Sequence, residues 1–203
     1  MIAIVDYGAG NMHSIAHALE HVGASVRVTD DPELVLDAEA VVLPGVGSAG
    51  AAMVQMRAKG LDEAIRRATE RGKPFLGICL GMQLLADHHA EGEVDGLKLF
   101  RGEVRRIPHK NLKVPEMGWN QVQPTREGLA IFEQIPANSY FCFMHSYYVE
   151  PLDQAGVAGT TDYGSPYCSV IATERVWGTQ FHPEKSGERG LQLLRNFVKW
   201  VRQ

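Results

Sequence analysis

The chain has 203 residues, of which 45% are hydrophobic and 22% charged, and its formal net charge is −4. A chain of this size can bury a substantial core, and we expect residues 1–203 to form one domain. The acidic balance argues against nucleic-acid binding, which needs a basic face, and no apolar run approaches the roughly 20 residues of a membrane helix.

The three cysteines, Cys79, Cys142 and Cys168, are odd in number and widely spaced. A disulfide framework would need regular pairs, so this usage favours a reducing compartment. The segment Met1–Asp6 lacks the basic start and cleavage site of a signal peptide and is instead expected to be a short strand. We therefore expect a cytoplasmic protein.

The first half of the chain alternates short apolar runs with helical patterns. Helical spacing of apolar and charged residues covers Asn11–Val22 and Leu61–Arg71. Buried strands are predicted at Ile2–Asp6, Ser25–Thr29, Ala40–Leu43 and Pro74–Ile78. Continuous apolar strands separated by helices indicate an α/β fold with a mostly parallel central sheet flanked by helices.

After about Gly92 the pattern changes to shorter strand-like runs with turn residues, which predict an additional antiparallel strand region in the second half. These runs are Leu97–Phe100, Glu103–Ile107, Trp119–Gln123, Tyr140–Val149, Cys168–Ala172 and Val176–Phe181. The tail Gly187–Gln203 predicts an amphipathic helix. The segment Arg101–Lys110 is locally basic but interrupted by Glu103, and we expect an exposed strand and loop there.

The sequence Gly77-Ile78-Cys79-Leu80-Gly81 follows an apolar strand and precedes a predicted helix. This arrangement is typical of a nucleophile elbow, in which flanking glycines allow a sharp turn that exposes the central side chain. A thiol at a helix N-terminus is also favoured as thiolate. The alternative is an inert cysteine that ends a core strand.

A candidate base and its orienting acid follow a hundred residues later, in His182-Pro183-Glu184 at the end of the run Val176–Phe181. Pro183 favours an extended conformation for His182, which would put His182 and Glu184 on the same face. A nucleophile, a base and an orienting acid suffice for acyl transfer. The alternative is an ordinary turn after an edge strand.

These two motifs, Gly-Ile-Cys-Leu-Gly-Met-Gln at 77–83 and Phe-His-Pro-Glu at 181–184, resemble the triad class (class I) of glutamine amidotransferases, which have a flavodoxin-like fold. Four further segments narrow the resemblance to the glutaminase subunits of imidazole glycerol phosphate synthases, of histidine biosynthesis. They are Asp6–Asn11, Pro44–Gly47, Met117–Asn120 and His145–Tyr147. The resemblance extends essentially end to end.

The resemblance implies that Cys79 attacks the side-chain amide of L-glutamine, with His182 and Glu184 completing the triad, and that a glutamyl thioester forms and ammonia leaves. It implies a heterodimer in which ammonia passes to a (β/α)₈-barrel cyclase subunit, which makes imidazole glycerol phosphate and aminoimidazole carboxamide ribotide. It further implies that Asn11, Met117, Trp119 and Lys185 face that partner. Without the resemblance, core packing or solvated surface would explain these four residues.

An oxyanion hole is expected from the Leu80 amide, as in other elbows, and, by the resemblance, from the Val46 amide in the turn Pro44–Gly47. A β-branched Val46 resists positive φ. We therefore hypothesise that the resting peptide points its carbonyl into the hole and must flip for activity. The alternative is a plain strand-to-helix turn.

The resemblance also implies glutamine-binding roles, with Glu91 receiving the α-ammonium group. The predicted set is Gly45, Gly47, Gln83, Glu91, His145, Ser146 and Tyr147. Gln83 lies four residues after Cys79 on the predicted helix, so the two share a face. Taken alone, Gln83 would be a solvated helical residue, Glu91 a surface charge and His145 a satisfied histidine of a core strand.

The chain departs from the family at two positions, where relatives often have histidine in place of Glu116 and many have tyrosine in place of Cys142. We expect no cofactor and no metal. Gly8-x-Gly10 resembles a dinucleotide fingerprint, but His13 occupies the third glycine position. Rival interpretations are a glutaminase of another synthase, such as pyridoxal phosphate synthase, a cysteine-elbow hydrolase or chaperone, and a non-catalytic binding module.

Overall fold

A computed structural model describes residues 1–108 and 112–203, so the end of the basic segment, at 109 and 110, lies outside the described residues. The strands are β1 (Ile2–Val5), β2 (Val26–Thr29), β3 (Ala40–Gly45), β4 (Phe75–Cys79), β5 (His88–His89), β6 (Val94–Asp95), β7 (Gly102–Arg106), β8 (Glu116–Pro124), β9 (Ser139–His145), β10 (Tyr147–Pro151), β11 (Val157–Asp162), β12 (Pro166–Ala172) and β13 (Val176–Thr179). The helices are α1 (Met12–His21), α2 (Pro32–Asp37), α3 (Ala49–Ala58), α4 (Leu61–Glu70), α5 (Leu80–Gln83) and α6 (Gly187–Val201), with 3-10 turns at Ala130–Phe132 and Pro183–Lys185.

The central sheet begins with five parallel strands in the order β2-β1-β3-β4-β13. Beyond β13 it continues through β12, β10 and β7, which pair antiparallel, and ends at the short strands β5 and β6. A branch leaves at β12, which pairs with β11, and continues through β8 to β9. The predicted α/β fold, with a mostly parallel central sheet and an antiparallel region in the second half, is confirmed.

Two apolar layers cover the faces of the parallel strands. One contains Met53 of α3 and Ile65 of α4, and the other contains Leu19 of α1 and Phe197 of α6. Every residue of β1, β3 and β4 is buried, as expected for strands covered on both faces. Within residues 1–108 and 112–203, no helix is long and apolar enough to cross a membrane.

Two predicted strands differ from the structure. Leu97–Phe100 is not a strand, because its amides bond to the segment after α5 instead of a sheet neighbour. Leu97 donates to the Leu84 carbonyl at 2.7 Å and Leu99 to the Leu85 carbonyl at 2.9 Å. The run Tyr140–Val149 is two strands, β9 and β10, which are separated at Ser146.

Besides the two-residue strands β5 and β6 and the 3-10 turn Ala130–Phe132, the elements α2, α3 and β11 lie where no element was predicted. The α3 sequence is rich in alanine, which marks the buried face of a helix only weakly. The β11 sequence contains Gly159 and polar residues, which give only a weak strand pattern. α2 is only six residues long, but Asp31 caps its first turn and Pro32 occupies its first position. These are recognised signals of a helix start, so α2 could have been found from the sequence.

We expect Phe197→Ala to lower the free energy of unfolding by about 3–5 kcal/mol, because it leaves a cavity in the core. Phe197 is fully buried and its ring packs 6.1 Å from Trp177 and 6.0 Å from Trp200, measured between centroids. Lys199→Ala on the same helix removes only an exposed ion pair with Glu133 and should cost less than about 1 kcal/mol. Urea unfolding measures both, and equal losses would contradict this packing.

Candidate active site

Three neighbouring parallel strands, β3, β4 and β13, end at one edge of the sheet. Gly45 is the register partner of Cys79, and Ile78 pairs with Thr179. The chain segments that follow these strands carry Val46, Cys79 and His182. The topology therefore brings together three segments that are far apart in sequence.

Cys79 is the last residue of β4 and has a left-handed backbone, with φ 55° and ψ −111°. An ideal Cβ at Gly77 would lie 2.7 Å from the Gly81 carbonyl oxygen, and one at Gly81 would lie 1.8 Å from the carbonyl oxygen of Leu43 on β3. Only glycines permit this turn, and its strain falls on the cysteine itself. The predicted helix after the elbow is the single turn α5, so the expected dipole contribution is small.

The side chain of His182 lies between Cys79 and Glu184. Its Nδ1 is 2.9 Å from Glu184 Oε1, Cys79 lies near enough to its ring to raise the histidine pKa, and the His182 and Glu184 side chains are each only 4% exposed. The two were predicted to share a face of an extended segment. Instead, Pro183–Lys185 is a 3-10 turn that brings the carboxylate back to the ring.

The protonation of His182 follows from these contacts. Burial lowers the pKa of His182, but hydrogen bonds and charges from Cys79 and Glu184 outweigh it and raise that pKa to about 10. The imidazole can therefore take and keep a proton from a neighbouring thiol at neutral pH. Cys168 differs, because burial raises the pKa of its thiol to about 12 and keeps it protonated and inert.

A cavity of about 270 Å³ opens beside the sulfur of Cys79. Its lining contains both predicted oxyanion residues and all predicted glutamine-binding residues except Gly45, together with Pro115 and Met144. Gly45 lies beneath the cavity, where a Cβ would come within 2.8 Å of the Tyr7 hydroxyl. The volume is just under the range of about 300–1,000 Å³ for larger ligands, so it suits a molecule the size of an amino acid.

Gln83 is buried rather than solvated. Its Nε2 donates to the Tyr147 carbonyl at 2.8 Å and to Gln180 Oε1 at 3.1 Å. Its Oε1 is 3.0 Å from Nε2 of His89. Burial lowers the pKa of His89 to about 4, so the ring is neutral and, since Nδ1 accepts from the Glu91 amide, Nε2 donates to Gln83.

Gln180 and His89 escaped the sequence analysis, although both belong to this site. The Nε2 of Gln180 lies 3.8 Å from the sulfur of Cys79. A glutamine within the apolar run Val176–Phe181 was a sequence signal for a buried polar role, and the structure buries Gln180 completely. Nothing local marks His89, because its contact with Gln83 depends on the position of β5.

Glu91 is half-buried at the wall of the cavity. Its Oε2 accepts the amide of Ala49, the first residue of α3, at 3.1 Å. The carboxylate is thus held at a helix N-terminus. A negatively charged group fixed on the wall can bind the cationic end of a small ligand. Within the described ranges, no three His, Cys, Asp or Glu side chains form a group that could hold a metal ion.

The turn after β3 contains Gly47 with φ 90°, whereas Val46 does not have a positive φ. The Val46 amide faces the hydroxyl of Tyr7, in a geometry short of a full hydrogen bond. Burial raises the pKa of Tyr7 well above its usual value, so this phenol stays protonated. The hypothesis that the resting Val46 peptide points its carbonyl into the oxyanion hole stays a prediction.

The predicted partner residues are at the surface. Trp119 is 57% exposed and Met117 61%, so core packing does not explain them. They share one face of β8 and β9 with Tyr140 and Met144, which are also exposed large apolar residues. Asn11, the N-cap of α1, and Lys185, in the turn after the triad histidine, are exposed polar residues. Because Met144 also lines the cavity, this apolar face borders the site.

Comparison with known proteins identifies close relatives. The profile of the family "Glutamine amidotransferase class-I" matches residues 3–200. The chain is 48% identical to "Imidazole glycerol phosphate synthase subunit HisH" of Dehalococcoides mccartyi, over 98% of this chain and 97% of that protein. It is 50% identical to the protein of the same description from Moorella thermoacetica, over 99% of this chain and 95% of that one.

Solved structures with the same fold include "Crystal structure of glutamine amidotransferase". That structure matches with a TM-score of 0.78 at 19% identity, over 100% of this chain and 99% of that chain. "Structure of PurLQS from Thermotoga maritima" matches with a TM-score of 0.77 at 21% identity, over 98% of each chain. At this level of identity the likeness concerns the fold alone.

We expect Glu184→Gln to lower the pKa of His182 from about 10, because the substitution removes the negative charge that faces Nδ1. NMR titration of the histidine ring measures the shift. The matched control is Glu188→Gln, since Glu188 is exposed and pairs with Arg195 instead. An equal pKa in native protein and Glu184→Gln would contradict the role of this carboxylate.

The raised pKa also makes a stability prediction. A histidine with a folded pKa near 10 and an ordinary pKa of 6.5 stabilises the fold fully below pH 6.5. We expect the difference in unfolding free energy between native protein and His182→Gln to shrink as pH rises from 6.5 through 10. Urea unfolding across this range tests the sign, and a growing difference would contradict it.

Proposed function

The chain belongs to the class-I glutamine amidotransferase family, and from that premise we propose that it is the glutaminase subunit of an imidazole glycerol phosphate synthase. It hydrolyses L-glutamine to glutamate and ammonia in histidine biosynthesis. One observation carries the chemistry: a cysteine on a strained elbow contacts a buried histidine that a carboxylate orients, beside a cavity of amino-acid size. The curated relatives, which match nearly the whole chain, supply the identity of the synthase.

The reaction proceeds by acyl transfer at Cys79. The sulfur attacks the δ-carbonyl carbon of glutamine while His182 holds the thiol proton and Glu184 accepts from the Nδ1 hydrogen. Collapse of the tetrahedral intermediate breaks the C–N bond, and His182 gives its proton to the leaving ammonia. Water, deprotonated by His182, then attacks the glutamyl thioester, which releases glutamate and regenerates the thiol.

The cavity wall supplies the means to orient glutamine. The carboxylate of Glu91 receives the α-ammonium group, and the backbone of the segment His145–Tyr147 holds the carboxylate end. Gln83, fixed by hydrogen bonds to Tyr147 and Gln180, borders the reacting amide. The site thus offers a carboxylate to the ammonium group of the ligand and backbone groups to its carboxylate end. This arrangement supports an amino acid as substrate.

The oxyanion of the tetrahedral intermediate is bound by the amides of Leu80 and Val46. The Val46 amide now faces Tyr7, so the peptide has to flip before this donor can serve. A flip demands positive φ at a β-branched residue, which is unfavourable. The resting enzyme is therefore slow, and the partner supplies the energy of the flip.

The partner is a (β/α)₈-barrel cyclase subunit in a heterodimer, which uses the ammonia to form imidazole glycerol phosphate and aminoimidazole carboxamide ribotide. Free ammonia in water becomes ammonium, which is not nucleophilic, so direct transfer is needed. The exposed Met117 and Trp119 supply an apolar docking face next to the site, with Asn11 and Lys185 as polar contacts. The whole chain, 1–203, acts as one domain in the cytoplasm.

We expect Cys79→Ser to reduce glutamate release by at least about a thousandfold, because a serine hydroxyl beside this histidine is a far weaker nucleophile. Folding and association with the cyclase subunit should persist, which circular dichroism and gel filtration check. Cys142→Ser, at a half-buried thiol outside the cavity, is the control and should keep activity. Substantial turnover by Cys79→Ser would reject Cys79 as the nucleophile.

Val46→Gly is expected to raise glutamate release by the chain without its partner by about tenfold, because glycine removes the cost of positive φ in the flipped peptide. Val46→Ala keeps the Cβ and should show a smaller rise. Initial rates at saturating glutamine measure both. Equal rates in Val46→Gly and the native chain would reject peptide flipping as the barrier.

A further inference from the structure

A buried polar cluster lies on the inner face of β8 and β9, behind the cavity. It consists of Glu116, His145 and Tyr167, which are 3%, 5% and 7% exposed. Glu116 and His145 are direct neighbours in the β8–β9 register. Glu116 and Tyr167 do not line the cavity, so neither touches glutamine in the mechanism above.

The carboxylate of Glu116 is fully engaged. Its Oε1 accepts from Asn120 Nδ2 at 2.9 Å, and its Oε2 accepts from the Tyr167 hydroxyl at 3.0 Å. Burial and the charge of Glu116 raise the pKa of Tyr167, so the phenol keeps its proton and donates.

The third member of the cluster closes a triangle with these two groups. His145 Nε2 lies 3.1 Å from the Tyr167 oxygen and 3.3 Å from Glu116 Oε2. The tyrosine proton is used in the hydrogen bond to Glu116, so His145 Nε2 faces two accepting oxygens and is the donor in these contacts.

The other nitrogen of the same ring points toward the site. His145 Nδ1 is 2.8 Å from the Tyr147 carbonyl oxygen, which can only accept, so Nδ1 donates as well. This carbonyl also accepts from Gln83, whose amide bonds to Gln180 beside the sulfur of Cys79. The hydrogen bonds thus run without a break from Glu116 to the nucleophile.

We propose that Glu116 is a positioning residue for glutamine binding, which acts by holding the ring of His145 and through it the Tyr147 carbonyl and the Gln83 amide. The inference rests on the proposed function. Without the carboxylate, Nε2 loses its acceptor and a single ring proton can sit on either nitrogen. The Tyr147 carbonyl then loses one of its donors whenever that proton is on Nε2. A wall held by fewer hydrogen bonds binds the substrate less tightly, while the triad stays intact.

Kinetics of the complex with the cyclase subunit separate this role from a merely structural one. We expect Glu116→Leu to raise KM for glutamine about tenfold, the effect of one lost hydrogen bond, with kcat within about threefold. Glu116→Gln should restore KM to within about threefold of native, because its amide can still accept from Asn120 and donate to His145 Nε2. The control is Asn196→Ser, which breaks buried hydrogen bonds to the Ile131 and Glu133 carbonyls outside the cavity.

Asn196→Ser should lower the melting temperature and leave KM unchanged. An unchanged KM in Glu116→Leu, or equal rises in Glu116→Leu and Asn196→Ser, would overturn the inference. In a His145→Leu background, Glu116→Leu should raise KM no further, since the route through the ring is already broken. If the double variant instead raised KM by the product of the two separate increases, Glu116 would act by a route other than His145.

Nitrogen-15 NMR of the histidine rings tests the same inference without turnover. The His145 signals are assigned by their loss in His145→Leu. The native chain should show a proton on each ring nitrogen, Glu116→Gln a proton on Nδ1, and Glu116→Leu a single proton distributed over both nitrogens. Absence of glutamate release by the native complex would refute the proposed function alone. Unchanged ring signals in Glu116→Leu would overturn the positioning role whatever the enzyme does.

Discussion

The close approach of the elbow to strand β3 is the contact on which the site depends. Gly81 packs so tightly against the Leu43 carbonyl that no side chain fits there, and this packing turns the chain sharply at Cys79. The same contact places Cys79, the proposed nucleophile, opposite Gly45 and so beside the turn that carries Val46. Since β13 lies on the other side of β4, His182 lies at the same edge. The register of three parallel strands thus determines the geometry of the proposed catalytic triad.

Much of this arrangement could be predicted from the sequence. The strands β1, β3 and β4 are continuous apolar runs, and the motifs at Cys79 and His182 both end a strand. Parallel strands share one carboxyl edge, but the run Val176–Phe181 was assigned to the antiparallel region, so the meeting of these residues required the observed parallel pairing of β13 with β4. Glu184 was assigned correctly as a neighbour of His182, but by the wrong local geometry, because a 3-10 turn and not an extended chain connects them.

The remainder depends on tertiary contacts that leave no local signal. Leu97–Phe100 has the composition of a strand, yet its amides bond to Leu84 and Leu85 because the end of α5 offers free carbonyls there. The bonds of Gln83 to His89 and Gln180 join residues from three separate segments. Glu116 was recognised as a departure from the family, but its pairing with His145 required the β8–β9 register. Which polar side chains meet depends on the pairing register of the strands. The hydrophobic periodicity of the sequence does not determine that register.

The apolar face with Trp119, the resting turn at Val46 and the complete triad fit one account, in which an assembled nucleophile waits for a partner to complete the oxyanion hole. Glutamate release from glutamine by the chain alone, then with the cyclase subunit and its nucleotide substrate, tests this account most directly. It predicts slow release alone and strong activation when both are added. Rapid release by the chain alone, unchanged by the partner, would contradict it.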